Sequence, residues 1–526
     1  MQISVPVRTP KVVFINPGML PGDRMQLMQR KLVKGREHMR MSPQSAGILK
    51  SLTPDVPFLF LDETTTRIDW KKLSSQGYNL VAISAYTHNA DRAYQLAYEA
   101  KKRGMTPVLG GFHPSLIPNE AVNHGIVVQG EAFKVWPELI KDFIAGTTKP
   151  LYKADSFAEP HEIVSPERSV YPGINQQVTA TSGCKFRCIF CCMAALYKGQ
   201  TRLKSVKQVV SEIEEIGGVF HRFYFGDDNL MSNKEYAMEL FSAMRDINSE
   251  RIVEGKKKIE FFAFIGVEIG DRENRDLLEL AKEAGLYRAH MGIETLDVAS
   301  LKKAAKRINL KEINPADRFR ETMEALHERS IASYGAIIIG FDEDTRESIV
   351  ALKDFLIETG VNTPIISFLT PYPGTPLHTK LSREGRIIDR SWTNHDMGHM
   401  VISHPNFSHR EITDLYWEMF NDLYSAKNIV ARLILNSQWR KTTLPSREEI
   451  EALISRMEEA SNKKLFDDSD LPELVRLALE FVDKLGWEAP KYSSEEEALL
   501  ALAREIRSNF RAQKRLRHRL HPQLIY

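Results

Sequence analysis

Cysteine is scarce in this chain: its 526 residues hold only four, all between Cys184 and Cys192. A secreted disulfide framework spreads its cysteines along the chain, so that class is excluded. Four in one short loop favour a reducing compartment and a metal site. Charge of one sign is lacking as well. The formal net charge is +2, which gives no broad field for nucleic acid. No apolar run reaches the roughly 18 residues of a transmembrane helix. The stretch Met1 to Pro10 has no apolar core of a secretory leader, so a cytoplasmic location is expected. No internal repeat occurs at solenoid periods.

What is present is long and of ordinary composition. Hydrophobic residues make up 43% of the chain, and the length implies two or three domains. The first part alternates short apolar runs with helical patterns. Strands are predicted at Lys11–Asn16, Val56–Leu61, Leu80–Ser84, Thr106–Gly111 and Ile126–Gly130. Helices are predicted at Ala90–Arg103 and Phe133–Ile144. Such alternation implies parallel pairing in a doubly wound, Rossmann-like sheet over residues 1–150. Such sheets bind ligands at the carboxyl ends of their strands.

Residues 151–175, broken by Pro160, Pro166 and Pro172, read as a linker. A second alternating series fills 176–405. Its strands are predicted at Gln177–Thr181, Arg222–Phe225, Glu260–Gly266, Tyr287–Gly292, Ser333–Gly340 and Thr363–Leu369. Helices are expected between them, at Ser205–Ile216, Lys234–Ser249, Arg272–Ala284, Asn314–Glu328 and Thr345–Thr359. Six βα units predict a partial (β/α)6 barrel, short of the eight in a full one. Residues 406–526 read as a helical region, with helices at Glu411–Asn436, Ser446–Ala460, Leu471–Leu485 and Ser494–Leu520. The fold class is therefore α/β with a helical carboxy-terminal part.

The cysteines form Cys184-Lys-Phe-Arg-Cys188-Ile-Phe-Cys191, directly after the first strand of the second series. Three thiolates on one loop can ligate three irons of a cubane cluster and leave the fourth iron open. The alternative is a zinc site completed by a distant histidine, although zinc sites mostly use CxxC pairs. Cys192 adjoins a ligand, so its side chain is expected to point away.

This loop resembles that of the radical S-adenosylmethionine (SAM) superfamily, and the resemblance runs on in order through the second series. It covers about residues 10–420. It implies a [4Fe–4S] cluster on Cys184, Cys188 and Cys191, with Phe190 at the cofactor site. Phe225-Gly-Asp227-Asp228-Asn229 resembles the segment that meets the amino group of SAM, and a carboxylate suits an ammonium. Gly292-Ile-Glu294-Thr295 resembles the ribose-contacting position. Ile337-Ile-Ile-Gly340-Phe341 resembles the strand flanking the adenine, and Thr370-Pro-Tyr-Pro-Gly-Thr-Pro376 the segment after the last barrel strand. Taken singly, Asp227 could be only a turn residue and Glu294 only a helix N-terminal charge.

The first part is similar to the cobalamin-binding domain that precedes many such barrels. The matching residues are Ser84-Ala-Tyr-Thr87, Gly110-Gly111-Phe-His113 and Gly130-Glu131, where small residues let a flat corrin approach the backbone. No Asp-x-His-x-x-Gly motif occurs, so neither His88 nor His113 has the context of a cobalt ligand. The resemblance implies a cobalamin-dependent radical SAM enzyme, most often a methyltransferase acting on an unactivated carbon. A 5′-deoxyadenosyl radical would take the hydrogen atom and methylcobalamin would supply the methyl group. It also implies a flavodoxin- or ferredoxin-type electron donor and a small apolar, ring-bearing substrate. Alternatives are an oxidative cyclase or rearrangement enzyme on a tetrapyrrole or polycyclic lipid, and a non-catalytic metal-binding module. The aromatic tract Leu415–Phe420 is expected in the core. The basic end, from Arg504 to Arg519, reads as a solvated helix face, with at most a peripheral contact to anionic lipid.

Overall fold

The computed structural model describes residues 9–18, 43–171, 177–218, 220–306, 310, 314–424, 428 and 432. Two six-stranded parallel sheets organise them. The first contains β1 (Val12–Asn16), β2 (Phe58–Asp62), β3 (Leu80–Ser84), β4 (Thr106–Gly110), β5 (Ile126–Gln129) and β6 (Leu151–Lys153). Their order is β2-β1-β3-β4-β5-β6. The order reverses between β1 and β3, which opens a crevice at their carboxyl ends. Apolar side chains on the two faces feed two separate clusters. Phe14, Ala82, Val108 and Trp136 lie on one; Val13, Val81, Ala93 and Leu109 lie on the other.

β6 falls inside the stretch read as a linker and pairs with β5. Tyr171 farther along packs into the first cluster. The prolines there interrupt periodicity without separating the chain from the first body. Two short helices, Gln44–Leu52 and Trp70–Ser75, are additions to the expected elements.

The second sheet contains β7 (Gln177–Val178), β10 (Arg222–Phe225), β11 (Glu260–Phe264), β12 (Leu286–Glu294), β13 (Ala332–Ile339) and β14 (Thr363–Phe368). They run in the order β14-β13-β12-β11-β10-β7. The helices between them bury their apolar stripe on the outer face, where Leu240, Phe241, Leu277, Phe319 and Leu352 join one core. Their ends carry recognisable stops: Ser205 and Thr345 cap N-termini, and Gly285 adopts a φ of 110° after Ala284. The inner face is aromatic. Phe262 meets Tyr224, His290 and Tyr334 at ring-centroid distances of 5.1, 6.2 and 5.4 Å.

The expected strand Gln177–Thr181 is divided. Only Gln177 and Val178 stay in the barrel sheet, while β8 (Thr181–Ser182) pairs antiparallel with β9 (Arg202–Leu203). The cause is Asp227, whose carboxylate takes the N–H groups of Ala180 and Thr181. After the barrel, the helix His409–Leu423 packs its buried Leu415, Tyr416 and Phe420 on the core. The expected helices at 446–460, 471–485 and 494–520 lie outside the described residues. No helix among the described residues is long and apolar enough to cross a membrane.

Candidate active site

The β8–β9 hairpin closes the base of the cysteine loop, and Gly183 starts it at a φ of 84°, a conformation that favours glycine. Cys184, Cys188 and Cys191 all line one cavity of about 330 Å³ at the carboxyl ends of the barrel strands. The loop is held on both flanks. The Ile189 N–H donates to Ala304 O at 3.1 Å, and the Leu377 N–H donates to Ile189 O at 3.1 Å. Cys192 opens the short helix Cys192–Tyr197. It is not among the cavity-lining residues.

The donor set fits a polynuclear group. The three thiols line one cavity together, the number of protein ligands that leaves one iron of a cubane open. Backbone N–H groups point at two of the sulfurs: Phe186 at Cys184, and Met193 and Ala194 at Cys191. Such donors stabilise thiolates bound to iron. Burial pushes all three thiols up, Cys188 to about 12, so ligation would displace a proton at each sulfur.

The Asp pair serves this loop as well as the cavity. Asp227, 1% exposed, accepts from Ala180 N at 3.1 Å and from Thr181 N. Asp228 accepts from Gly183 N at 2.8 Å. Burial raises Asp227 to about 7 and Asp228 to about 6, against these hydrogen bonds, which pull both down. Both line the cavity. The expected role as acceptors for a ligand ammonium is thus joined to a structural one that spacing alone did not reveal.

Glu294 reaches the same cavity through irregular backbone. It has a φ of 63°, and the β12–β13 register shifts between Gly292 and Glu294. Its carboxylate pairs with Lys306 Nζ at 2.6 Å. Lys306 was not anticipated; only its position after the fourth barrel strand could have drawn notice. Phe190, Tyr224, Phe264 and His290 supply an aromatic wall. Burial, then the Lys306 charge, lowers His290 to about 4. Gly340 is not among the lining residues. Its φ is 113° and its N–H donates to Asp344 Oδ2 at 2.7 Å.

A second cavity, of about 360 Å³, opens at the strand ends of the first sheet. Ser84, Gly110, Gly111, Gly130 and Glu131 line it, and it runs inward past Phe14, Ala82, Val108 and Trp136. Thr87 and His113 do not line it. His113 is fully buried, with Nδ1 3.4 Å from Thr87 Oγ1 and Nε2 3.4 Å from Glu120 Oε1. The Trp392 ring covers it edge-on at 5.1 Å. Tyr86 and Phe112, which fall inside the two matching segments, line the cavity as well.

The cavities are fixed relative to each other. Gly226 lines both. Gln44 Nε2 donates to Gln177 O at 2.8 Å, Thr179 Oγ1 donates to Gln44 Oε1 at 2.7 Å, and Arg202 pairs with Glu131.

A partial barrel with a three-cysteine loop at its mouth, set beneath a Rossmann-like sheet, defines a class of enzymes that work through an iron–sulfur cluster. Residues 178–356 match the model of the Radical SAM superfamily, and residues 375–462 match a Domain of unknown function (DUF4070). Residues 178–356 are thus a radical SAM domain, and a Rossmann-like sheet precedes it in this chain. The radical SAM domain therefore implies a [4Fe–4S] cluster and SAM as cofactors.

Bacteriochlorophyllide d C-12(1)-methyltransferase of Chlorobaculum tepidum is 28% identical over 389 residues, spanning 71% of this chain and 80% of that protein. Bacteriochlorophyllide d C-8(2)-methyltransferase of the same organism is 26% identical over 412 residues, spanning 74% and 87%. The fold is similar to that of the radical S-adenosylmethionine methyltransferase TsrM from Kitasatospora setae, solved with cobalamin and a [4Fe–4S] cluster bound. The TM-score is 0.61 at 15% identity, over 86% of this chain and 100% of that one.

Proposed function

We propose that this protein is a cobalamin-dependent methyltransferase that acts on an unactivated carbon of an apolar, ring-bearing metabolite of the tetrapyrrole or polycyclic-lipid class. Cys184, Cys188 and Cys191 are the cluster ligands in this reading. Asp228, Glu294 and the backbone around Gly292 face SAM. Ser84, Gly110, Gly111, Gly130 and Glu131 cradle the corrin and its tail. When bound, the cluster and SAM supply a hydrogen-abstracting radical, and cobalamin carries the methyl group.

One observation carries the reading: the two cavities meet at Gly226. A side chain there would collide with the Gln177 amide, so only a glycine backbone can form this shared wall. A methyl donor must come within bonding reach of the substrate carbon, and a shared wall makes that reach short. The chain's own part is to hold the partners close and to exclude water with Tyr86, Phe112, Phe190, Tyr224 and Phe264. The similarity to two tetrapyrrole methyltransferases supports the substrate class. A flavodoxin- or ferredoxin-type protein is the electron donor in this reading.

The test is turnover of anaerobically reconstituted enzyme with isotopically labelled methyl-SAM and candidate tetrapyrroles and polycyclic lipids. The expected product gains one labelled methyl group, with cobalamin required. An unlabelled, dehydrogenated or cyclised product would overturn the methyl-transfer reading.

A further inference from the structure

Two non-glycine residues with positive φ stand on either side of one ion pair. Glu294 has a φ of 63° and Ala305 a φ of 54°. Such conformations are costly and persist where surrounding contacts enforce them. Here they turn the Glu294 carboxylate and the Lys306 ammonium into the cysteine cavity, where the two meet at 2.6 Å. The backbone before Lys306 is fastened to the cysteine loop twice. Ile189 N donates to Ala304 O at 3.1 Å, and Cys188 Sγ lies 3.9 Å from Ala305 O. A Cβ on Gly292 would stand 2.7 Å from Lys306 Nζ, so the absence of a side chain there leaves room for the ammonium.

Both ends of the pair stand in the cavity that the three cysteines line, so the ammonium and the sulfurs share one enclosed space. Asp228 lines the same cavity, and His290 on β12 feels the Lys306 charge. Burial pulls the ammonium down, but the net shift is upward, with the Glu294 carboxylate 2.6 Å away the largest opposing influence.

We propose that Lys306 sets the reduction equilibrium of the cluster through its charge in the cysteine cavity, with Glu294 as the counter-charge that limits the effect. Reduction adds one electron to the cluster, supplied by the external protein donor. A cation in the same low-dielectric cavity as the sulfurs favours that added charge. Lys306 touches no reacting atom in this scheme. The inference rests on the cluster ligation proposed above and not on methyl transfer.

The test is potentiometric titration of the full-length, iron-reconstituted protein without SAM, followed by the electron paramagnetic resonance of the reduced cluster. Lys306→Met is expected to lower the equilibrium constant for one-electron reduction at least ten-fold, which is about 59 mV toward negative potential. Glu294→Gln is expected to move it the opposite way, and Lys306→Arg to stay near the parent. A merely structural role predicts no such opposite shifts. A fully loaded Lys306→Met protein with an unchanged midpoint would overturn the proposal. If that variant does not hold iron, Glu294→Gln decides: an upward shift supports the proposal and no shift overturns it. Absence of a cubane signal from the parent protein would instead refute the ligation itself.

Discussion

The carboxylate of Asp228 accepts the backbone N–H of Gly183 at 2.8 Å, so the end of the second barrel strand holds the residue before the first cysteine of the loop. Asp227 does the same for Ala180 and Thr181, more deeply buried. Removing Asp227 leaves two buried N–H groups without partners, each costing about 1–3 kcal/mol. Asp227→Ala is therefore expected to lower both thermal stability and the iron and sulfide bound per chain after anaerobic reconstitution. Asp228→Ala should do so to a smaller degree, while weakening SAM binding about ten-fold. Full iron loading in Asp227→Ala at unchanged thermal stability would contradict the loop-holding role.

The periodicity of the sequence was enough to place both sheets, because buried parallel strands are short apolar runs bounded by turns. It could not separate β7 from β8, since the break depends on Asp227 arriving from a strand more than forty residues later. Nor could it disclose β6, which becomes a strand only because β5 offers it an open edge. In the site, the cysteines were recognisable from spacing alone. Lys306 was not, because an ion pair between residues twelve positions apart depends on the backbone turns at Glu294 and Ala305. Thr87 and His113 share a loop and a strand end with cavity residues, yet His113 turns toward Glu120 and Trp392 and Thr87 toward His113.

Gly111 and Gly130 offer a paired test of the upper cavity. Gly111 has a φ of 94°, and a Cβ there would come 2.7 Å from Ala85 O. Gly130 has a φ of 80° with open space beside it. Gly130→Ala meets only backbone strain, about 1–2 kcal/mol. Gly111→Ala adds a backbone clash, of the order of 1–3 kcal/mol more, and moves the β3 end that lines the cavity. Chemical denaturation should rank Gly111→Ala as clearly less stable, and cobalamin retention after gel filtration should fall further in it.

Among the described residues no histidine lines the upper cavity, and His113 is closed off by Thr87, Glu120 and Trp392. Cob(II)alamin bound there is expected to give electron paramagnetic resonance signals without nitrogen superhyperfine splitting. His113→Ala should leave those signals unchanged. Nitrogen splitting that disappears in His113→Ala would show that the loop rearranges to bring the imidazole to cobalt.

Arg202 ties the cysteine hairpin to the first sheet. Its guanidinium pairs with Glu131, at side-chain exposures of 9% and 11%, and lies 4.4 Å from the Phe157 ring and 4.5 Å from the Tyr197 ring. Breaking a buried pair by removing one partner costs about 3–5 kcal/mol. Arg202→Met should therefore destabilise strongly, because burial already raises Glu131 and Arg202 is what pulls it back. Glu131→Gln retains a hydrogen-bond acceptor and should cost less. Equal denaturation midpoints for the two variants would argue against the pair as the tie between the domains.

A buried carboxylate away from the cysteines makes the pH behaviour of the fold testable. Asp344 is 4% exposed and accepts from Gly340 N at 2.7 Å and Phe341 N at 3.1 Å. Burial raises it from 3.8 to about 7, against those two hydrogen bonds. The folded state thus holds the proton more tightly than the unfolded chain between those values. Stability from this group is full below about pH 4 and is lost as pH rises through about 7, at most about 1.4 kcal/mol per pH unit. Asp344→Asn cannot titrate, and its side-chain oxygen can still accept from Gly340. The variant's unfolding free energy, measured by urea denaturation at several pH values, should decline less than the parent's between pH 5 and 7. Parallel pH profiles for the two proteins would mean that Asp344 is ionised in the fold throughout this range, with its two backbone donors outweighing burial.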